Sequence, residues 1–118
     1  MFKAIFLLKR KPGTSFEEFK EYYESTHRKL GERALPTAKK YIRRFLTPYP
    51  EQETVERPET EFDVITEIWF EDKDAFESAV TALAAPNLQA EIVEDESRFM
   101  DRSKISLFTV EEFESTID

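Results

Sequence analysis

The 118-residue chain has no cysteine, one histidine, one tryptophan and two glycines. Without cysteine there are no disulfides, no thiolate metal sites and no cysteine nucleophile. This composition fits a reducing cytoplasm, the expected location. A lone histidine excludes zinc or iron held by several imidazoles, and no metal site is expected. The glycines, Gly13 and Gly31, are too few and too far apart for a glycine-rich phosphate loop, so nucleotide, flavin and nicotinamide binding by such loops is disfavoured. There is no Gly-x-Ser-x-Gly elbow to support a serine hydrolase. No apolar run approaches the roughly 20 residues that span a bilayer, and Met1 leads straight into a strand-like run rather than a leader. Positive charge is also scarce. The 17 bases face 25 acids, for a net charge of −8, which argues against nucleic acid and anionic membranes as partners. The basic groups Lys9-Arg10-Lys11 and Lys39, Lys40, Arg43, Arg44 read as solvated strand ends or faces.

What the chain does have is core material. Hydrophobic residues make up 40 %, including eleven phenylalanines, which suffices for one domain over residues 1–118. Phe2 to Leu8 reads as a buried strand, closed by charges and then Pro12-Gly13. Ser15 followed by Glu18 is a capping-box signature that opens a helix. That helix is expected to end before Gly31, or at the latest before Pro36. Tyr41 to Leu46 reads as a strand, and the acidic, proline-bearing segment Thr47 to Glu61 as a long loop. Phe62 to Phe70 is the next strand, with Asp63, Ile65, Glu67 and Trp69 on one face and Val64, Thr66, Ile68 and Phe70 on the other. Asp72 or Asp74 caps a second helix with the stripe Phe76, Ala79, Val80 and Leu83. A shorter helical piece follows from Leu88 to Ser97, and Ile105 to Val110 is the last strand.

This order predicts an α+β fold of the ferredoxin-like βαββαβ kind, a four-stranded antiparallel sheet with its helices on one face. The first strand is apolar on both faces (Phe6 and Leu8 against Ile5 and Leu7), so something must cover the second face. A second copy of the chain is the simplest cover, giving a homodimer with facing sheets.

The single histidine is placed informatively. Phe16, Phe19, Tyr23, His27 and Leu30 recur every three or four residues, so His27 shares the core-facing stripe of the first helix. Such a histidine either makes one satisfying hydrogen bond in the core or projects into an internal pocket where a group titrating near neutrality is useful. Asp63 and Glu67 are acids on an otherwise Ile and Trp strand face, and a buried carboxylate needs a partner. Arg43 or Lys3 could supply one across a dimer interface. Alternatively, Glu67 could face His27 between helix and sheet and fix its tautomer, making a pair suited to moving protons. Trp69, Tyr23, Tyr41, Phe99 and Phe6 would line such a pocket, although an aromatic interior is also what eleven phenylalanines produce.

Several stretches resemble the EthD-domain family. They are Phe2 to Phe19, the helix Glu21-Tyr-Tyr-Glu-Ser-Thr-His27, Leu35-Pro36, Lys40 to Phe45, Phe62 to Phe70, and Asp101-Arg-Ser through Val110-Glu-Glu112. The resemblance covers nearly the whole chain in order. It implies a dimeric α+β barrel, from a superfamily of cofactor-free monooxygenases, aromatic polyketide cyclases, muconolactone-type isomerases, haem-using enzymes and stress-responsive proteins. His27 matches the histidine at the end of the family's first helix, which in related isomerases and lyases lies in the pocket. Asp63, Glu67 and Trp69 match its Asp-x-x-x-Glu-x-Trp strand. The expectation is therefore an enzyme without cofactor, acting on a small hydrophobic carbonyl, lactone or aromatic compound by proton transfer. His27 would be the catalytic base or acid and Glu67 or Asp63 its orienting acid. The alternative is a non-catalytic protein that binds a small ligand.

Overall fold

The computed structural model describes residues 1–50 and 57–118. Its elements are β1 (Phe2–Leu8), α1 (Phe16–Tyr22), a π-helical turn (Tyr23–His27), α2 (Arg28–Ala34), β2 (Lys40–Phe45), β3 (Val64–Phe70), α3 (Lys73–Leu83), α4 (Pro86–Ser97), a 3-10 turn (Arg102–Lys104) and β4 (Ser106–Thr109). The strands form one antiparallel sheet in the order β2-β3-β1-β4, the expected ferredoxin-like arrangement. The long loop foreseen between Thr47 and Glu61 carries no regular structure in its described parts, and residues 51–56 lie outside the described residues.

Local chemistry sets the helix ends. The Ser15 hydroxyl accepts from the Glu18 N–H at 3.1 Å, while the Glu18 carboxylate accepts from the Ser15 N–H at 3.3 Å, closing the capping box. Asp72 caps α3 by accepting from the Ala75 N–H at 2.8 Å, and Pro86 starts α4 where a missing N–H costs nothing. The first helix passes through Gly31 and stops at Leu35, because Pro36 disfavours helical backbone in the residue before it. Of the two limits foreseen, the later one holds.

Strand parity places the core. Ala4 and Leu8 of β1 and Val64, Thr66, Ile68 and Phe70 of β3 point at the helices and are buried. Leu8 and Val64 pack with Phe19, Tyr23, Phe99 and Met100; Ala4, Ile68 and Phe70 pack with Ala79 of α3. Burying an aromatic or aliphatic side chain of this size contributes about 1.5–3 kcal/mol. Val80, expected on the inner stripe of α3, is instead 41 % exposed, on the shoulder of the helix. The outer face carries Lys3, Ile5, Leu7, Ile42, Arg44, Ile65, Glu67 and Trp69, aligned by the register Ile5↔Glu67↔Ile42.

Candidate functional site

The helix that begins at Ser15 turns Phe19 and Tyr23 fully into the core, and His27 follows on the same face. The turn from Tyr23 to His27 is π-helical, a widening that recurs at functional positions. The imidazole meets Tyr23 edge-on at 4.7 Å between ring centres and tilts against Phe99 at 4.9 Å. Its Nδ1 lies 2.5 Å from Oδ2 of Asp95 on α4. The Tyr22 hydroxyl donates to the other Asp95 oxygen at 2.8 Å. Burial pushes the Asp95 carboxyl up, but the hydrogen bonds from His27 and Tyr22 outweigh it and hold the group below the ordinary aspartate range. An ionised carboxylate only accepts, so Nδ1 carries a proton. Nε2 has no hydrogen-bond partner among the described residues.

Beside the imidazole, a cleft of about 110 Å³ opens between helix and sheet. Phe6, Tyr23, His27, Tyr41, Thr66 and Glu96 line it, along with aliphatic side chains that include Leu8, Leu30, Ile68 and Ile92. One wall is a chain of hydroxyls. Tyr41 donates to the Tyr23 hydroxyl at 3.0 Å, which in turn lies 2.6 Å from the Thr66 hydroxyl. Burial pushes the Tyr23 phenol up to about 12, and burial with the neighbouring Tyr23 pushes Tyr41 higher, so both stay neutral at physiological pH. Gly31 lets Tyr41 approach α2: a Cβ at that position would sit 2.8 Å from the Tyr41 hydroxyl oxygen and 3.0 Å from its Cε2. Glu96 is raised above the ordinary glutamate range, chiefly by burial, with Arg102 and His27 opposing the shift.

Of the expected site residues, His27, Tyr23, Tyr41 and Phe6 come together at this cleft. Phe99 is buried behind the imidazole and supports it without lining the cleft. Glu67 does not meet His27. Its neighbours Thr66 and Ile68 point at the helices, so strand alternation turns Glu67 to the opposite face, where Arg44 Nη1 donates to it at 2.9 Å. Burial pushes Glu67 up, but Arg44 and Lys3 outweigh burial and hold it low. Trp69 shares that outer face, with Lys3 Nζ 4.0 Å and Lys40 Nζ 4.4 Å from its ring centre. Arg43, considered as a partner for these acids, instead forks onto Glu24 at 2.6 and 2.9 Å.

Asp63 is fully buried just before β3 and away from the cleft. It accepts from the Arg10 N–H at 2.9 Å, and Lys9, Arg10 and Arg57 place cationic groups at 3.6–3.7 Å. It ties the end of β1 to the start of β3. The acid that meets His27 is therefore Asp95, and Thr66 and Glu96 complete the polar lining of the cleft. Thr66 could have been found as the one hydroxyl on the apolar parity of β3. A second, larger groove of about 1080 Å³ runs beside Lys9 to Lys20 and Arg57 to Glu59. Two of its cations, Lys9 and Arg10, are already paired with Glu59 and Asp63, and it holds no histidine, so it is a weaker candidate. Among the described residues no group of three or more His, Cys, Asp or Glu could hold a metal ion, and no helix is long and apolar enough to cross a membrane.

Comparison with solved structures gives the same fold. A protein of the ethyl tert-butyl ether (EthD) family from Bacillus halodurans matches with a TM-score of 0.62 at 20 % identity, over 96 % of this chain and 100 % of that one. The protein At3g17210 from Arabidopsis thaliana matches at 0.63 and 16 % identity, over 99 % and 100 %. HapK from Hahella chejuensis matches at 0.58 and 13 % identity, over 100 % and 98 %. At such identities the likeness speaks for architecture alone. No functionally curated protein matches the sequence. The family model of the EthD domain, however, matches residues 11–103, which take in the whole first helix, β2, β3, α3 and α4. The chain belongs to the EthD domain family.

Proposed function

We propose that this EthD-domain protein is a cofactor-independent enzyme that moves a proton on a small hydrophobic carbonyl, lactone or aromatic compound held in the helix–sheet cleft. The observation that carries this reading is the 2.5 Å contact between His27 Nδ1 and Asp95, made beside a cleft and leaving Nε2 without a partner among the described residues. Asp95 fixes the tautomer, so Nε2 presents a lone pair to a bound C–H or O–H, as a general base requires. Isomerase, cyclase, lyase and monooxygenase reactions can each begin with such a step. The size of the cleft favours the small end of the substrate range. A dry cavity of roughly 150 Å³ holds a benzene ring, so an open cleft of about 110 Å³ admits a single ring or a short chain that extends towards its mouth.

We place the enzyme in the cytoplasm as a homodimer in which a second copy covers the outer sheet face. Ile5, Leu7, Ile42 and Ile65 are only half-buried there, and Phe108 is 52 % exposed beside Ile5. An apolar strip of this kind needs cover.

The test is α-hydrogen exchange in D2O with cyclopentanone, cyclohexanone and γ-butyrolactone, followed by proton NMR. The protein should accelerate loss of the α-proton signal for at least one of them, and His27→Gln should abolish the acceleration with the fold intact. Equal exchange by wild type and His27→Gln would sink the reading. A compound that shifts the imidazole resonances without exchanging would favour the non-catalytic, ligand-binding alternative.

A further inference from the structure

Beyond the His27–Asp95 pair, we infer that Glu96 is the general acid of this site, delivering a proton to the carbonyl oxygen of the substrate while His27 removes the adjacent C–H proton. The inference rests on the proposed proton-transfer reading and adds a second catalytic residue to it.

Three observations support it. Successive residues of a helix diverge by about 100°, so α4 can send Asp95 to His27 and Tyr22 while Glu96 lines the cleft. Among the described residues Glu96 is the only carboxyl group on the cleft wall. Arg102 Nε donates to its Oε1 at 3.3 Å, and the other oxygen has no hydrogen bond among the described residues.

The other proton-bearing groups on the wall are poorer acids. Tyr41 already donates to Tyr23, and Tyr23 is joined to Thr66 at 2.6 Å. Both phenols are held neutral by burial. Burial acts on Glu96 in the same direction and brings its carboxyl closer to the working range of an acid catalyst.

The step balances without any further reactant. The substrate α C–H bond breaks and its proton goes to His27 Nε2. The Glu96 O–H bond breaks and its proton goes to the carbonyl oxygen, leaving an enol in the cleft, a carboxylate on Glu96 and an imidazolium on His27. Return of a proton from Nε2 to carbon, and of the enol proton to Glu96, restores the enzyme. When the carbon proton returns to a different carbon the result is an isomer; when it returns as deuterium the result is exchange.

The charged groups facing Glu96 are His27 from the π-helical turn, Asp95 from its own helix and Arg102 from the 3-10 turn. Arg102 favours the carboxylate, so its removal should raise the pH at which Glu96 loses its proton.

The experiment is the same exchange assay, across pH, on wild type, Glu96→Gln, Arg102→Met and His27→Gln. Glu96→Gln should lower the exchange rate about 100-fold or more, the low end of what a positioned acid contributes, and should flatten the alkaline limb of the profile. Arg102→Met, which keeps Glu96, should move that limb to higher pH. Exchange by Glu96→Gln within about threefold of wild type, or an alkaline limb that Arg102→Met leaves in place, overturns the role of Glu96 while His27→Gln still tests the underlying reading. Exchange that is absent in wild type, or unaffected by His27→Gln, removes that reading and the acid with it.

Discussion

Replacing Gly31 by alanine sets two effects of opposite sign against each other. Gly31 sits inside α2 with no left-handed backbone requirement, since Gly13 is the only glycine with positive φ. On helix propensity alone alanine should stabilise by about 0.8–1 kcal/mol. The new methyl carbon, however, would lie 2.8 Å from the Tyr41 oxygen, 3.0 Å from Cε2 and 3.1 Å from Cζ. The ring cannot swing freely, because its hydroxyl is tied to Tyr23 and its backbone lies in β2. Overpacking of this kind costs about 1–3 kcal/mol, and losing the Tyr41–Tyr23 hydrogen bond costs about 1 kcal/mol more. The net expectation is destabilisation by about 1–3 kcal/mol, a fall in Tm of roughly 4 °C per kcal/mol for a domain of this size. Tyr41→Leu removes all three clashing atoms. On that background Gly31→Ala should change sign and stabilise by about 0.5–1 kcal/mol. Urea unfolding of the four proteins in this cycle gives both numbers. Stabilisation by Gly31→Ala in the wild-type background would show that the approach of Tyr41 does not constrain α2.

The remaining predictions concern other parts of the molecule. Asp63→Ala leaves Lys9, Arg10 and Arg57 without their buried counter-charge and should cost about 3–5 kcal/mol in urea unfolding; a loss under 1 kcal/mol would refute its role as an anchor. Tyr23 has a folded-state pKa of about 12, above the unfolded value of 10.0, so its contribution is intact below pH 10 and is lost as pH rises from there through about 12. Tyr23→Phe should therefore flatten the fall in Tm over that window. Asp95 is shifted the other way, so its contribution is present above the unfolded aspartate range and disappears as pH falls through its lower folded value. Asp95→Asn should thus narrow the acid loss of stability, visible as a smaller Tm difference between pH 5 and pH 2. If the proposed homodimer forms through the outer sheet face, Ile5→Asp and Ile65→Asp should halve the mass measured by sedimentation equilibrium; a wild-type mass of a single chain, or a dimer that both variants leave unchanged, refutes that interface.

Local signals in the sequence led directly to much of this molecule. Ser15 with Glu18 and Asp72 with Ala75 are contacts between near neighbours, and alternation sorts Val64 to Phe70 into two faces, but both faces are apolar enough that only the structure shows which one meets the helices. The stripe Phe19, Tyr23, His27 needed only the helical period. What escaped was the identity of the acid. Asp95 lies 68 residues from His27 within the run Glu94-Asp95-Glu96, where composition alone reads as a solvated helix face. Only the docking of α4 on the first helix singles it out. Glu67 was the more visible candidate because it interrupts an apolar strand, but strand parity sends it to the far face. Gly31 misled for a related reason: it reads as a helix terminator, whereas its small size is needed by a tyrosine ten residues away.

The one tryptophan and the one histidine stand on opposite sides of the same sheet. Each is a spectroscopic probe present in a single copy, so no labelling is needed to tell the two faces apart. Indole emission, shaped by Lys3 and Lys40, reports on whatever covers the outer surface, while imidazole resonances report on the cleft. A compound in the cleft that alters the emission must act through the thickness of the sheet, as in β3, where Thr66 faces one side and Trp69 the other. Assembly that perturbs the imidazole must travel the reverse path. Recording both signals during one titration therefore measures the coupling between occupancy and association directly, in the unmodified protein.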